Sequence, residues 1–397
     1  MIETCNVCGS KVDKTFSLGF KDLCGLSLAD YTQDVAVCPK CQLIFTINPF
    51  SEDQLAERYK SFSKYEYDSQ SSQLDEADSN KARSIRQKAF LEQTIGLTNI
   101  NSILEVGAAS GYNLSLYKEN FDVYGIEPSV LNCDTAKKRY NVDMFCGTFK
   151  EYVNATASNS KSFDLVFLSH VLEHIVNPCD FIKELSAINS RYMFIEVPTL
   201  DCKWVDEPYG IFCEEHVNIF TLESLRKLMA KCGYELINAE IGFNDILLPA
   251  GVPQLITIWE KTDVIDADKT YEFNFHAKEL LRRYVEKSKS ELERIKGIID
   301  SIDGNVNIAL WGTGHHASML LANTSLTDKN IVSVYDSDLK KSGMSFNGIK
   351  IQQFDEADVL NKNIGAVLVA TYTAQKAICK ILEDHHFKLK IIKLYDI

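Results

Sequence analysis

Several sets of residues carry chemistry on their types and spacing alone. In Ile103 to Ser129, ILEVGAASGYNLSLYKENFDVYGIEPS, Glu105 stands two before Gly107, and Glu127 follows twenty-two residues after Glu105. The small residues of Gly107-Ala108-Ala109-Ser110-Gly111 let the backbone turn tightly and approach a ligand. An acid ahead of the first glycine would repel a pyrophosphate and suits a cationic ligand, whereas Glu127 is placed to accept hydrogen bonds from a ribose hydroxyl pair. Cys5-x-x-Cys8 and Cys38-x-x-Cys41 form two knuckles separated by 29 residues. Together they can set four thiolates tetrahedrally around Zn²⁺, and with every position taken by sulfur the metal is structural. Glu215-His216 precedes a helix capped by Thr221; a carboxylate beside an imidazole raises its basicity and fixes its tautomer, which suits acid–base work. His170 and His174 are four apart and would share one face of a helical turn. The run is not His-Glu-x-x-His and shows no third ligand, so the sequence reads His174 as a packing and hydrogen-bonding residue near a strand end.

These residues need elements to position them. Ile103 to Val106 reads as a strand, Tyr112 to Glu119 as a helix and Asp122 to Ile126 as a second strand, a complete βαβ unit. A helix from Asn80 to Thr94, with Ile85, Ala89, Phe90 and Ile95 on one side, leads into it. Helix (Val130 to Arg139), strand (Val142 to Phe145) and helix (around Phe149 to Tyr152) then continue the alternation expected of a parallel sheet. A strong strand, Phe163 to Leu168, ends at Ser169-His170-Val171-Leu172-Glu173-His174, the sheet edge where open α/β folds bind ligands. Tyr192 to Pro198 is a further strand. Residues 271 to 300 form an amphipathic helix with Leu281, Tyr284, Leu292, Ile295 and Ile299 along one side. Beyond it, Val306 to Trp311 runs into Gly312-Thr313-Gly314-His315-His316-Ala317, and Ile331 to Tyr335 ends at Asp336, a second strand, glycine turn, helix, strand and acid. A nicotinamide cofactor is one reading of this second unit. Residues 49 to 78 are polar and linker-like, yet Tyr65 and Tyr67 also fit a loop that folds over a ligand.

Length and composition set bounds. The chain has 397 residues, more than one core usually holds, so two or three domains are expected. The expected division is a zinc module over 1–60, a cofactor-binding domain over 61–260, and a linking helix with a second α/β domain over 261–397. Formal charge is −13, from 55 acidic against 42 basic residues, and no long basic block occurs, which argues against nucleic acid. No apolar run reaches the length of a membrane helix, and the N-terminus has no signal pattern, so a cytoplasmic protein without a membrane partner is expected. Of the twelve cysteines, those outside the two knuckles, such as Cys133, Cys146, Cys179 and Cys213, read as reduced thiols.

The Glu-x-Gly-x-Ala-x-Gly turn with its distal acid resembles motif I of the class I S-adenosylmethionine (SAM) methyltransferases. The resemblance places Glu105, Gly107, Ala109 and Gly111 around the methionine moiety and Glu127 on the ribose, with Ser169 bordering the cofactor and acceptor sites. Four-cysteine module, Y-x-Y-x-S stretch, SAM core, E-H-x-x-x-F-(S/T) and second α/β domain together resemble the sugar C-methyltransferases of nucleotide-linked deoxysugar biosynthesis. That resemblance implies an NDP-4-keto-6-deoxyhexose acceptor, a base that removes the proton beside the ketone, and enolate attack on the SAM methyl. By position it makes His216 the base with Glu215 as partner, and lets His174 and Tyr67 line the sugar site. In the second unit it assigns Gly312, Gly314, His315 and Asp336 to the nucleotide of the sugar. Methyl transfer to oxygen or nitrogen, or a non-catalytic sugar-nucleotide-binding module, are the alternatives.

Overall fold

A computed structural model describes residues 2–21, 30–61, 78–156, 161–202, 204, 207–243, 253–263, 277–385 and 389–396. The chain divides into two compact units, each built from separated segments. One comprises Met1–Asp13, Ala36–Val205 and Glu215–Leu281; the other comprises Lys14–Val35, Asp206–Glu214 and Arg282–Ile397.

The first unit is organised by a seven-stranded sheet in the order Tyr234–Phe243, Pro253–Lys261, Asn189–Pro198, Phe163–Ser169, Ser102–Val106, Asp122–Glu127, Met144–Cys146. Pro253–Lys261 pairs antiparallel with both neighbours, and the five strands from Asn189–Pro198 to Met144–Cys146 run parallel. The strands are apolar on both faces, as a parallel sheet covered on both sides requires. Leu104, Val106, Val166 and Leu168 face a core shared with Ile182, Leu185, Leu225 and Leu228 of the helices Pro178–Ile188 and Leu222–Lys231. Ile103, Leu165 and Phe167 face the opposite core, with Phe90 and Leu91 of the helix Asp78–Thr94. Ser102–Val106 is first in sequence and has later strands on both sides, so the order reverses there. Such a switch point leaves a crevice at the carboxyl ends of the strands; Gly107 to Gly111 and His170 follow strands ending at that edge, and Glu127 is the last residue of another.

Boundaries moved in several places. The helix after the glycine turn is only Tyr112–Ser115, and the next is Val130–Thr135 continued by a wider turn over Ala136–Tyr140. Within Asp78–Thr94 the expected apolar stripe is rotated: Ile85 is exposed, while Ser84, Gln87, Phe90 and Leu91 are buried. The spacing of Gln87 and Leu91 by one turn explains this, because the helix turns a polar residue inward to the sheet edge. The two cysteine knuckles belong to the same core as the sheet: Cys5, Val7, Cys38, Cys41, Leu43 and Phe45 pack with Leu104 and Phe220. Ile44–Thr46 pairs antiparallel with Asn218–Ile219, just after His216.

The second unit holds a six-stranded sheet in the order Ser345–Phe346, Ile349–Gln352, Ile331–Tyr335, Ile308–Trp311, Ala366–Val369, Lys390–Ile392, parallel except for the first hairpin strand. Lys14–Phe20, which separates the cysteine pairs in sequence, also belongs here. Phe16 packs edge-on against Phe212 at 5.0 Å, and Asn323 Nδ2 donates to the Gly19 carbonyl at 2.8 Å. Leu281, Tyr284, Leu292, Ile295 and Ile299 of the long helix Ala277–Asp300 are all buried, as their spacing predicts. No helix among the described residues is long and apolar enough to cross a membrane.

Candidate active site

The glycine turn is held by its own distal acid. Gly107, Ala109 and Gly111 have φ of 72°, 44° and 78°, the left-handed region that favours residues without a large side chain. Ala109 N donates to Glu127 Oε2 at 2.9 Å and Ser129 N to Oε1 at 3.0 Å. Glu127 therefore pins the turn as well as standing at its ligand edge. Added Cβ atoms would collide, with Val171 Cγ2 at 2.7 Å from Gly107 and Met144 Cε at 2.8 Å from Gly111. The first of these contacts brings the His170 to His174 segment directly against the turn.

Glu105 is buried, and Asn113 Nδ2 donates to its Oε1 at 3.0 Å. Its Oε2 has no hydrogen-bond partner among the described residues. Burial, reinforced by the Glu127 charge, pushes its carboxyl up to about 8, against the opposing pull of Asn113. A desolvated carboxyl with one orphaned oxygen beside a positive-φ glycine turn fits the ammonium end of a methionine moiety. The residues present thus fit SAM. Asn113 was not legible as a site residue in the sequence, since only the tight turn carries its side chain back to Glu105.

A second network lies at the same sheet edge. Glu196, fully buried near the end of Asn189–Pro198, accepts from Arg86 at 3.0 Å and from Gln87 at 2.9 Å. Gln87 also donates to Ser169 Oγ at 2.8 Å, which fixes Ser169 through a protein contact. His170, at φ 55°, places Nδ1 3.2 Å from Glu173 Oε1 and Nε2 3.5 Å from Glu196 Oε1. Burial disfavours its charged ring, but Glu173 and Glu196 outweigh that and raise its pKa. Glu173 is fully buried; burial pushes it up, yet His174, His170 and His216 outweigh this and hold it down at about 2.

His174 and His216 meet, with ring centroids 5.1 Å apart. His174 Nδ1 donates to the Glu215 carbonyl at 3.0 Å, and its Nε2 lies 3.8 Å from Glu173 Oε1. The fold also brings the Glu173 carboxylate to both rings, a residue to which the sequence reading gave no role. Tyr59, on the helix Glu52–Ser61, sets its ring 6.0 Å from His174. Tyr65, Tyr67 and residues 250–252 lie outside the described residues.

Cys5, Cys8, Cys38 and Cys41 come together with every Sγ within 4.8 Å of the others, Cys5 and Cys41 at 3.4 Å and Cys8 and Cys38 at 3.3 Å. Val7 N and Cys41 N point at the first sulfur of each knuckle, both at 3.4 Å. The hydrogen bond from Cys41 holds the Cys5 thiol down at about 5. This donor set fits a tetrahedral Zn²⁺. Cys133 and Cys146, read from sequence as separate thiols, are joined as a disulfide with Cα atoms 6.1 Å apart, because the helix and strand that follow Glu127 return side by side.

In the second unit, Gly312 has φ 106°, and a Cβ there would lie 3.2 Å from the Ala370 carbonyl oxygen. Gly314 precedes the helix His315–Asn323. Asp336 accepts from Thr313 N at 3.0 Å, from the Thr313 hydroxyl and from Lys341 at 3.0 Å. Its carboxylate thus fastens the turn to the next strand. His316 is buried and bonded to the Tyr395 hydroxyl, and burial pushes it down to about 3.

Residues 67–239 match the family described as methyltransferase domain, and residues 304–392 match one described as C2185-like, N-terminal. None of the curated proteins matches the chain. Among solved structures, the chain is similar to magnesium protoporphyrin IX methyltransferase from Synechocystis with bound SAM, at 13% identity, TM-score 0.38, over 54% of this chain and 100% of that one. A SAM-dependent methyltransferase from Archaeoglobus fulgidus gives 16% identity, TM-score 0.36, over 46% and 94%. The 1,6-didemethyltoxoflavin-N1-methyltransferase of Burkholderia thailandensis gives 13%, TM-score 0.37, over 57% and 98%. The match to a methyltransferase domain over residues 67–239 marks the chain as an enzyme.

Proposed function

We propose that the enzyme transfers the methyl of SAM to a nucleotide-linked 4-keto-deoxy sugar, at the carbon beside the ketone. The observation that carries this reading is the histidine–carboxylate cluster around the buried Glu173, set against the SAM turn through Val171 and Gly107. Transfer to carbon needs a base at that place, because a sugar C–H is too weak an acid without ketone activation and a positioned proton acceptor. SAM supplies an electrophilic methyl on its sulfonium. His216 takes the proton from the carbon, with Glu215 as its partner, and the resulting enolate forms the new C–C bond as the sulfur leaves with its electron pair. His174 and Tyr67 line the sugar, and Glu105 and Glu127 hold the methionine and ribose ends of the cofactor.

The four-cysteine cluster holds a structural Zn²⁺ in this reading, supported by its complete set of sulfur donors. The Gly312 and Gly314 turn, with His315 and Asp336, binds the nucleotide of the sugar, supported by a strand, glycine turn and helix N-terminus in the right order.

The test is NMR of products from methyl-¹³C-labelled SAM and a panel of NDP-4-keto sugars. A ring C-methyl signal is expected, and without SAM the enzyme should exchange solvent deuterium into that carbon of the unreacted sugar. A labelled O-methyl or N-methyl product would overturn carbon transfer while retaining the SAM site.

A further inference from the structure

The sequence pairs His170 with His174, and folding instead joins His174 to its neighbour Glu173 and to His216 from a distant segment. Glu173, His174 and His216 bring one carboxylate oxygen and two imidazole nitrogens within 4.8 Å of one another. Three features are those of a metal centre. His174 donates its Nδ1–H to the Glu215 carbonyl, which turns its Nε2 toward Glu173 at 3.8 Å; a ligating histidine is oriented in the same way by a carbonyl on its other nitrogen. Glu173 is fully buried, and its Oε2 has no hydrogen-bond partner among the described residues, an arrangement that is costly for a buried carboxylate unless something completes it. The two ligand-bearing segments are also fastened together: Val217 N donates to the Glu173 carbonyl at 2.8 Å, and Asn218 Nδ2 donates to the Ile175 carbonyl at 2.6 Å. The donor atoms are therefore held close without an ion.

We propose that Glu173, His174 and His216 bind a divalent first-row transition-metal ion beside the SAM turn, with open coordination positions for an oxygen of the methyl acceptor. Two imidazoles and one carboxylate suit Zn²⁺, Co²⁺, Fe²⁺ or Mn²⁺ better than Ca²⁺, and three protein ligands leave room for substrate. The ion's task is to hold and polarise a hydroxyl, enol or ketone oxygen of the acceptor. When it is bound, His216 is a ligand and its coordinating nitrogen takes no proton, so the base role assigned to His216 belongs to the metal-free form. The ion site rests on geometry, and its task toward the acceptor rests on the proposed methyl transfer, whichever atom of the acceptor is methylated.

Co²⁺ added to the full-length protein distinguishes the two clusters by spectrum. Thiolate-bound Co²⁺ gives intense sulfur-to-metal charge transfer, whereas nitrogen and oxygen ligands give only weak d–d bands. Equilibrium dialysis with metal analysis should find one Co²⁺ per chain carrying d–d bands alone. It should be absent from Glu173→Gln, His174→Gln and His216→Gln, while the four-cysteine cluster keeps its own metal in each. Retained S-adenosylhomocysteine binding by His216→Gln certifies that its fold is intact. The proposal is overturned if the wild type takes up no ion outside the thiolates, or if His174→Gln and His216→Gln both retain it. Because the ion is counted without any acceptor present, its failure is separate from failure of the labelled-methyl experiment.

Discussion

Glu105, which we propose holds the ammonium of the cofactor, would make its binding depend on pH in a calculable way. Its carboxyl is pushed up to about 8 in the free protein by burial, so at neutral pH it is mostly protonated, whereas an ammonium ligand requires it ionised. The ionised fraction sets the apparent affinity: between pH 6 and 7.5 it rises from about 1% to about 24%, so S-adenosylhomocysteine should bind about 25-fold tighter at the higher pH, roughly 2 kcal/mol. That window stays below the titration of a typical α-amino group. Calorimetry in buffers of different ionisation enthalpy should show close to one proton released per ligand at pH 6. Glu105→Gln should bind weakly at every pH and lose the slope. For folding the sign is opposite: a raised carboxyl stabilises below its unfolded value of 4.5, and that contribution is lost as pH rises toward about 8. An affinity flat across the window, or an equal slope in Glu105→Gln, would refute the assignment of the buried carboxyl to the ligand's ammonium.

Other expectations follow from single contacts. Gly107→Ala places a Cβ 2.7 Å from Val171 Cγ2 at φ 72°, which should cost about 1–3 kcal/mol in urea unfolding and abolish S-adenosylhomocysteine binding; adding Val171→Ala should restore part of the stability. Arg86→Ala removes one cationic partner of the buried Glu196 and should cost about 3–5 kcal/mol by the same measurement. Cys38→Ser should destabilise the whole first unit rather than one loop, read as a lower Tm with zinc lost, because its cysteines share that unit's core. His216→Gln should remove turnover while S-adenosylhomocysteine affinity, by calorimetry, stays within about twofold.

The local βαβ unit with its glycine turn was legible before folding. Glu105, the glycine turn and Glu127 lie within one βαβ stretch, where the strand period and the tight turn fix relative positions over short sequence distances. The four cysteines were legible because metal-ligand spacing repeats within each knuckle and sulfur chemistry leaves few other readings. Even there, the chain between the knuckles held a surprise. Lys14–Phe20 belongs to the second unit while both cysteine pairs belong to the first, an exchange set by which apolar faces find partners rather than by order along the chain.

The sequence by itself determined the parallel α/β sheet, the glycine turn with its distal acid and the four-cysteine cluster, since each is encoded by periodicity or by spacing within a short window. Tertiary structure alone decided the polar sites, because burial and long-range pairing select among side chains with similar local signals. It turned Gln87 inward in place of Ile85, brought Arg86 to Glu196 across 110 residues, and carried His216 to Glu173 and His174. A buried carboxylate must have partners close at hand, and only the folded chain determines which distant residues those are.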